Sequence, residues 1–582
     1  MKRNNFKQDI EINKASCYEL FIKSKRKNRS NFLANSYVIP DLQRKYVWRK
    51  EQVERMLEAV SNREGKYLGN IVVLPGKGGI DFLVDGQQRL VTISLLCKVL
   101  SEKAVGASLK RKLEQILFRD GSPRISFSDN NLNSFYKDFI LNNNPDHFLD
   151  SQKIINNSIS YLRKSLILKN LSNDKKINIF FKKVVTLQFG VIRCNNIADI
   201  YNLFEGLNST GVSLTSVEKT KNSIFGKLYE LGGEKEFDKG RKIWNKIEKN
   251  FEQSNIFWIN KFLRHQWFLI GGKESEKNLF NRINDRKIKP SKNTSELFEY
   301  LNKLFQDSVI YSRLKTGNLN EGYFPRNCRK NAGKDIVDLL IFINRLELDQ
   351  VYPVLLALYN YGKINEKYFN DSRFFEHLRK LAAFSLLAKY GKVIPSQYET
   401  KFANLCLDLT SLKYSDFKKR TKIFFDGLVG LVGDSSKKFI KNFNNNYLDN
   451  KDRLAKQIFI CLFKIRKNYK YTTEHILPKG IDGRGNFEFW ANVPQVNHKK
   501  LANYIFKIGN LTLIEEKLNS DEAKNFGFID KVRVYEKSGL AENRKIKVYK
   551  KFNSRDPSKA ILERGKKLSS LIFDAYYKIL SE

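Results

Sequence analysis

An α+β, multidomain fold is what the sequence predicts, and three observations carry that expectation. The chain has 582 residues, too many for one hydrophobic core at the usual size of a domain. Hydrophobic residues make up 41% and aromatics 13%, ample apolar area for folded domains. The patterning also changes along the chain. Short strand-like runs mix with helices at both ends, and helical spacing alone fills the middle. The sections read as 1–225 (mixed α/β), 226–450 (helical) and 451–582 (short elements, loops and basic helices).

Lys and Arg number 105 against 62 Asp and Glu, a net charge of +43. Such a surface attracts polyanions, and nucleic acid is the usual one, bound by phosphate neutralisation and counterion release. The alternative is compositional drift in a chain rich in Lys, Asn, Ile and Phe. No apolar run approaches the roughly 20 residues of a membrane span. The basic N-terminus, MKRNNFKQDIEINKAS, lacks the apolar core of a signal peptide. Six cysteines, at 17, 97, 194, 328, 406 and 461, form no CxxC pair. Neither a zinc ribbon nor a disulfide framework is therefore indicated. These features suit a cytoplasmic chain without a membrane.

In the first section NIVVLP (70–75), IDFLV (80–84) and VVTLQFGVI (184–192) read as strands. RKEQVERMLEAV (49–60) and QQRLVTISLLCKVL (87–100) read as helices. NIADIYNLFEGLNSTG (196–211) places Ile197, Ile200, Phe204 and Leu207 on one helical face. Thr215 and Glu218 form a capping-box signal for the next helix. The middle section holds helices such as VYPVLLALYNYG and FFEHLRKLAAFSLLAKYG, and the last begins with AKQIFICLFKIRK.

Two of the five histidines, His475 and His498, lie in the last section. His475 follows Glu474 in TTEHILP, at a strand end, and the strand IGNLTLI (508–514) comes after it. Adjacent strand residues point to opposite faces. An irregular junction at the strand end would let Glu474 approach a metal while His475 faces a scissile phosphate. Asn510 and Asn519 complete a ββα outline. Phosphodiester hydrolysis needs a base to activate water and a cation at the leaving oxygen. His475 suits the base, and oxygen ligands from Glu474 and Asn519 suit Mg²⁺ or Mn²⁺. A surface histidine before a Pro-containing turn, with asparagines serving turns and caps, is the alternative. Lys464, Arg466, Lys467, Lys470 and Lys479 surround the motif, interleaved with Tyr469 and Tyr471, as a surface for phosphates and bases would be.

Near the N-terminus, IPDLQRKYVW (39–48) precedes LVDGQQRLVTI (83–93), a strand–turn–helix with its turn at Asp85–Gly86. A helix start is an anion site. Arg89 in the first turn is unfavourable by dipole unless an anion is present, and its forked donors match phosphate. Gln43 and Arg44 are placed to converge on the same spot. The alternative has Asp85 capping the helix and Arg89 paired with a surface carboxylate. GLNSTGVS (206–213) has phosphate-loop glycine spacing, but Val212 stands where lysine belongs and a helix precedes it. It is not a Walker motif.

The elements EHILP and GNLTLIEEKLN resemble the HNH, or His-Me finger, nucleases. That resemblance implies His475 as general base, Glu474 and Asn519 as holders of one divalent metal, and Asn510 as the residue that orients the loop and the histidine. IPDLQRKYVW, DFLVDGQQRLVTI and FEGLNSTGVSLTSVEKTKN resemble the ParB-like nucleotidase domain of GmrSD-type, modification-dependent restriction enzymes. In that family this domain is joined to a C-terminal HNH domain, in the order found here. The resemblance implies that Asp85, Gly86, Gln87, Gln88 and Arg89 handle an NTP and that Gln43 and Arg44 belong to the nucleotide or DNA-sensing surface. Asn208, Gly211 and Lys221 fall on the third motif, and Glu218 stands where the family more often has Asp. The implied activity is an NTP-linked, metal-dependent endonuclease of anti-phage defence, acting on modified foreign DNA, with a second copy or other defence proteins as further partners. Two rivals are a non-selective DNA or RNA nuclease of an abortive system and a non-cutting ParB-like DNA-binding regulator.

Overall fold

The computed structural model describes residues 10–22, 36–40, 46–62, 64–76, 80–128, 130–141, 150–194, 215–251, 257–319, 321–324, 326–410, 414–448, 452–463, 470–478, 501–520, 527–553 and 556–582. The chain divides into two compact units, Met1–Asn260 with Glu276–Phe305, and Lys261–Ser275 with Gln306–Glu582.

The first unit is built on a mixed six-stranded sheet. Its strands are β1 (Ile10–Ser16), β2 (Tyr37–Ile39), β3 (Tyr67–Pro75), β4 (Asp81–Asp85), β5 (Ile125–Phe127) and β6 (Gln188–Cys194), in the order β1-β6-β3-β4-β2-β5. β6 runs antiparallel to β1 and parallel to β3, and β3 is antiparallel to β4. β2 is parallel to both β4 and β5. The alternation of the strands decides the two faces. Ile71, Val73, Leu83, Phe189 and Val191 enter the main core, while Val72, Val84, Ile192 and Cys194 form a smaller cluster.

Helix α1 (Lys50–Asn62) covers the main-core face with Val53, Met56, Leu57 and Val60. Helix α2 (Gln87–Lys103) is buried along nearly its whole first three turns, which is why its sequence is apolar all round rather than striped. The expected strands at 70–75 and 80–84 are present. Residues 184–185 instead end the preceding helix, Asp174–Val185, and the strand starts at Gln188. Residues 196–211 lie outside the described residues.

The capping box forms as expected. The Glu218 amide donates to Thr215 Oγ1 at 3.3 Å, and the Thr215 amide donates to Glu218 Oε2 at 2.7 Å. It opens helix α3 (Ser216–Lys249), which contains residue 225, and which folds back on itself at Gly233, where φ is 68°. A left-handed backbone suits glycine there. The two arms touch closely: a Cβ on Gly240 would meet Leu228 Cδ1 at 2.3 Å.

The second unit is mainly helical in its first part. Helix α4 (Tyr352–Ile364) and helix α5 (Arg373–Gly391) are buried along most of their length. Two histidines are buried there against tyrosine hydroxyls, His265 with Tyr311 at 2.8 Å and His377 with Tyr368 at 3.1 Å. The later part holds an antiparallel pair, β7 (Tyr471–His475) and β8 (Leu511–Glu515), with helices α6 (Phe528–Lys537) and α7 (Ser558–Ser581). Ile476, Leu477, Ile505, Ile514, Phe528, Tyr535 and Ile561 make its core. No helix among the described residues is long and apolar enough to cross a membrane.

Candidate active site

His475 pairs across the ladder with Leu511, and Glu474 with Thr512. The strand is therefore regular through His475, and the irregular junction expected at that residue begins one residue later. Glu474 and His475 leave the strand on opposite faces. Both are buried, at 4% and 5% exposure. The His475 ring meets Phe506 edge-on, with centroids 5.2 Å apart.

The turn after His475 is held by Asn510. Its carbonyl accepts from the Ile476 amide at 2.9 Å, and its Oδ1 accepts from the Leu477 amide at 2.7 Å. Its Nδ2 donates to the carbonyls of Leu477 at 2.9 Å and Ile505 at 2.8 Å. Asn510 has no exposed surface. Only a side chain with an acceptor and two donors satisfies all three side-chain bonds, and a buried orphan is costly.

The neighbouring residues of GNLTL are bound just as closely. A Cβ on Gly509 would lie 1.8 Å from the Ile561 carbonyl of α7, so only glycine permits this approach. Arg564 of α7 donates from Nη1 to the carbonyls of Gly509 and Leu511, at 2.7 and 2.8 Å. Burial pushes its guanidinium down to about 10, which still leaves it charged at neutral pH. Thr512 donates to Asn543 Oδ1 at 2.7 Å.

Glu474 faces α6. Its Oε1 accepts from Lys531 Nζ at 2.6 Å and from the Tyr535 hydroxyl at 3.2 Å. The same ammonium donates to the His475 carbonyl at 2.6 Å. Burial pulls the Lys531 ammonium below its ordinary pKa, and Glu474 opposes that. Burial raises Tyr535, with Glu474 adding to the shift. Asn519 Nδ2 donates to Thr472 Oγ1 at 2.7 Å, on the strand face that Thr472 shares with Glu474. Lys470 is exposed at the start of β7. Lys464, Arg466, Lys467, Lys479 and His498 lie outside the described residues.

In the first unit Gly86, with φ 88°, is the N-cap of α2, and no side chain caps the helix. Asp85 is therefore not the cap. It lies 3.7 Å from Arg89 as an i, i+4 ion pair. Arg89 turns toward β3 instead of outward. It donates from Nη1 to the Leu68 carbonyl at 2.7 Å and from Nη2 to the Asn70 carbonyl at 2.6 Å. These bonds explain an arginine at a helix start without an anion.

Gln87 and Gln88 are buried. Gln88 Oε1 accepts from the amides of Val47 at 2.9 Å and Trp48 at 3.4 Å, so the second motif does receive the end of the first. Lys221 is buried against Glu248 at 2.8 Å, and Trp244 Nε1 donates to the same carboxylate oxygen at 2.8 Å. That ties the two arms of α3. Gln43, Arg44, Asn208 and Gly211 lie outside the described residues.

Comparison with family models finds two matches. The GmrSD restriction endonuclease N-terminal domain matches residues 18–225, and the GmrSD restriction endonuclease C-terminal domain matches residues 433–569. The chain belongs to the GmrSD restriction endonucleases. It is a DNA endonuclease of the restriction type. Comparison with curated proteins finds no match. The C-terminal match of this GmrSD chain contains both strands of the β7–β8 pair, Asn510, Lys531, Tyr535 and Arg564. Sequence reading missed the last three. The signal was present in FIDKVRVYEK, where Lys531 and Tyr535 are four residues apart and share the face of Phe528 and Val534.

Proposed function

We propose that the GmrSD chain cuts DNA by HNH-type chemistry at His475. The observation that carries this reading is the Asn510 clamp, which fixes the turn after His475 through the Leu477 amide and carbonyl and ties it to the Ile505 carbonyl. A general base must be held still while the proton moves. On this reading His475 takes a proton from water, the water oxygen attacks phosphorus, and the bond to the leaving oxygen breaks.

A divalent cation belongs to the same proposal. Among the described residues no group of three or more His, Cys, Asp and Glu comes together, so Glu474 would hold the ion with amide and carbonyl oxygens, Asn519 among the donors. The donor set fits a hard cation. Glu474 Oε1 and the His475 carbonyl already hold one positive charge between them, the Lys531 ammonium. When bound, Mg²⁺ or Mn²⁺ would neutralise charge on the scissile phosphate and the leaving oxygen.

The first unit takes the sensing role in this proposal, with modified foreign DNA as substrate, and the net charge of +43 supports a DNA-facing surface. An NTP held by the Gly86–Gln88 backbone is part of the proposal as a sensing ligand. A grip by Arg89 is not, because one N–H on each of its two terminal nitrogens is already held by a β3 carbonyl.

The test is nicking of modified and unmodified DNA, with Mg²⁺ or Mn²⁺ and with each NTP. Faster cutting of modified DNA is the expected result. Equal cutting of unmodified DNA and RNA would overturn the substrate, and no cutting under any condition would overturn the reading.

A further inference from the structure

Lys531 is a lysine that the ββα outline has no use for, and its surroundings are unusual. Its side chain is 1% exposed and that of Glu474 5%. A buried lysine keeps its charge only when oxygens replace its water. Here they are Glu474 Oε1 and the main-chain carbonyl of His475, both at 2.6 Å. The ammonium thus bridges the carboxylate and the backbone of the residue read as the base. Tyr535, one turn along α6, donates to the same carboxylate oxygen.

Divalent Mg²⁺ approaches oxygen to about 2.0–2.1 Å. An ion on Glu474 Oε1 at that distance would be within contact distance of an ammonium hydrogen-bonded to the same oxygen. Two cations on one carboxylate oxygen repel each other strongly in a dry interior, where their repulsion is least screened. The Coulomb argument therefore sets the two in competition for that oxygen.

We propose that Lys531 is the resident cation of the Glu474 site, and that a divalent ion binds Glu474 only in exchange for this ammonium. The proposal rests on reading Glu474 as the metal-holding residue. Exchange releases the His475 carbonyl as well, so metal arrival is coupled to the backbone beside the base. Lys531 is a positioning residue on this account, and it sets the metal concentration at which the site fills.

The experiment uses the full chain without DNA and Mn²⁺ alone as the probe. Calorimetry on Lys531→Met should show Mn²⁺ bound at least ~10-fold more tightly than by the wild type, since one competing charge is gone. Glu474→Gln should remove this binding, and the double variant Glu474→Gln/Lys531→Met, which leaves no unpaired charge, should fold without binding the ion. On the wild type, lysine acylation read by mass spectrometry should show Lys531 protected without Mn²⁺ and reactive with it, a readout that needs no variant to fold. Equal or weaker binding by Lys531→Met, unchanged binding by Glu474→Gln, or unchanged Lys531 reactivity at saturating Mn²⁺ would each overturn the exchange. Nicking is scored separately. A wild type that cuts DNA while Lys531 stays protected defeats the exchange alone, and a His475→Ala variant that still cuts defeats the nuclease reading alone.

Discussion

The β7–β8 pair of the second unit and the β4–α2 turn of the first each carry a motif of the GmrSD family, and they use their polar residues differently. At the strand pair, Asn510, Gly509 and Arg564 are spent on holding a backbone in place beside His475. At the turn, the residues expected to meet a ligand are themselves the fasteners. Arg89 ties α2 to β3, and Gln88 ties it to Val47 and Trp48. A specific motif therefore marks a position under constraint without saying whether chemistry or architecture imposes it. The hydrogen-bond partners separate the two.

The comparison breaks most sharply at His475. His475→Ala should reduce nicking by ~10²–10⁴-fold with DNA binding near that of the wild type, as loss of a general base does. Gel nicking assays beside binding curves would check it, and full activity in the variant would make the strand pair as architectural as the turn.

Next come the residues that brace it. Asn510→Ala leaves the Leu477 amide and the carbonyls of Leu477 and Ile505 unpaired. At ~1–3 kcal/mol for each buried orphan, the expected loss is roughly 3 kcal/mol or more in urea unfolding, and nicking should fall with it. Gly509→Ala should be comparable, because its Cβ would drive into the Ile561 carbonyl.

Acid tests the second unit through a different pair of residues. Burial lowers His265 and His377 to about 3, and each is neutral in the fold. The unfolded chain takes up these protons near pH 6.5. Stability from both is therefore complete above pH 6.5 and falls as pH drops toward 3, by ~1.4 kcal/mol per pH unit for each histidine. Urea midpoints measured at falling pH should move accordingly. Gln in place of either histidine should flatten the dependence.

The smallest of these effects belongs to the turn. Arg89→Ala should cost about 1–3 kcal/mol in all, less than two fully buried orphans would, because these strand carbonyls are only part-buried, and Arg89→Lys should recover part of it, since one ammonium can reach one carbonyl more readily than both. Nucleotide calorimetry on the folded variants sharpens the contrast. Unchanged affinity makes Arg89 a fastener only, whereas a loss beyond the stability change returns it to the ligand.

Much of this was legible in the sequence where the cause is local. The strands at 70–75 and 80–84, helices α1 and α2 and the Thr215–Glu218 box follow from spacing and capping within a few residues. β1 and β2 were missed. β2 has three residues, too few for alternation to register, and β1 is interrupted by Asn13 and Lys14 in a basic, polar stretch. At the site, Glu474, His475, Asn510 and Asn519 stand out because they follow an order in the chain. Lys531, Tyr535 and Arg564 do not, because their partners lie 53 to 61 residues away in the chain and only the packed core brings them together. For Arg89 too the missing cause was not local. The dipole argument noticed an unfavourable charge, but the carbonyls that compensate it belong to another strand.

One brace has a consequence in time. Arg564 and the Ile561 carbonyl, which close on Gly509 and Leu511, lie downstream of His475, Asn510 and Lys531 in the chain. A ribosome delivers the histidine first and its last support only afterwards. The turn beside His475 is therefore braced only once helix α7 has been made and has docked. On the proposed reading of His475, the nascent polypeptide carries the histidine before it carries the means to hold it.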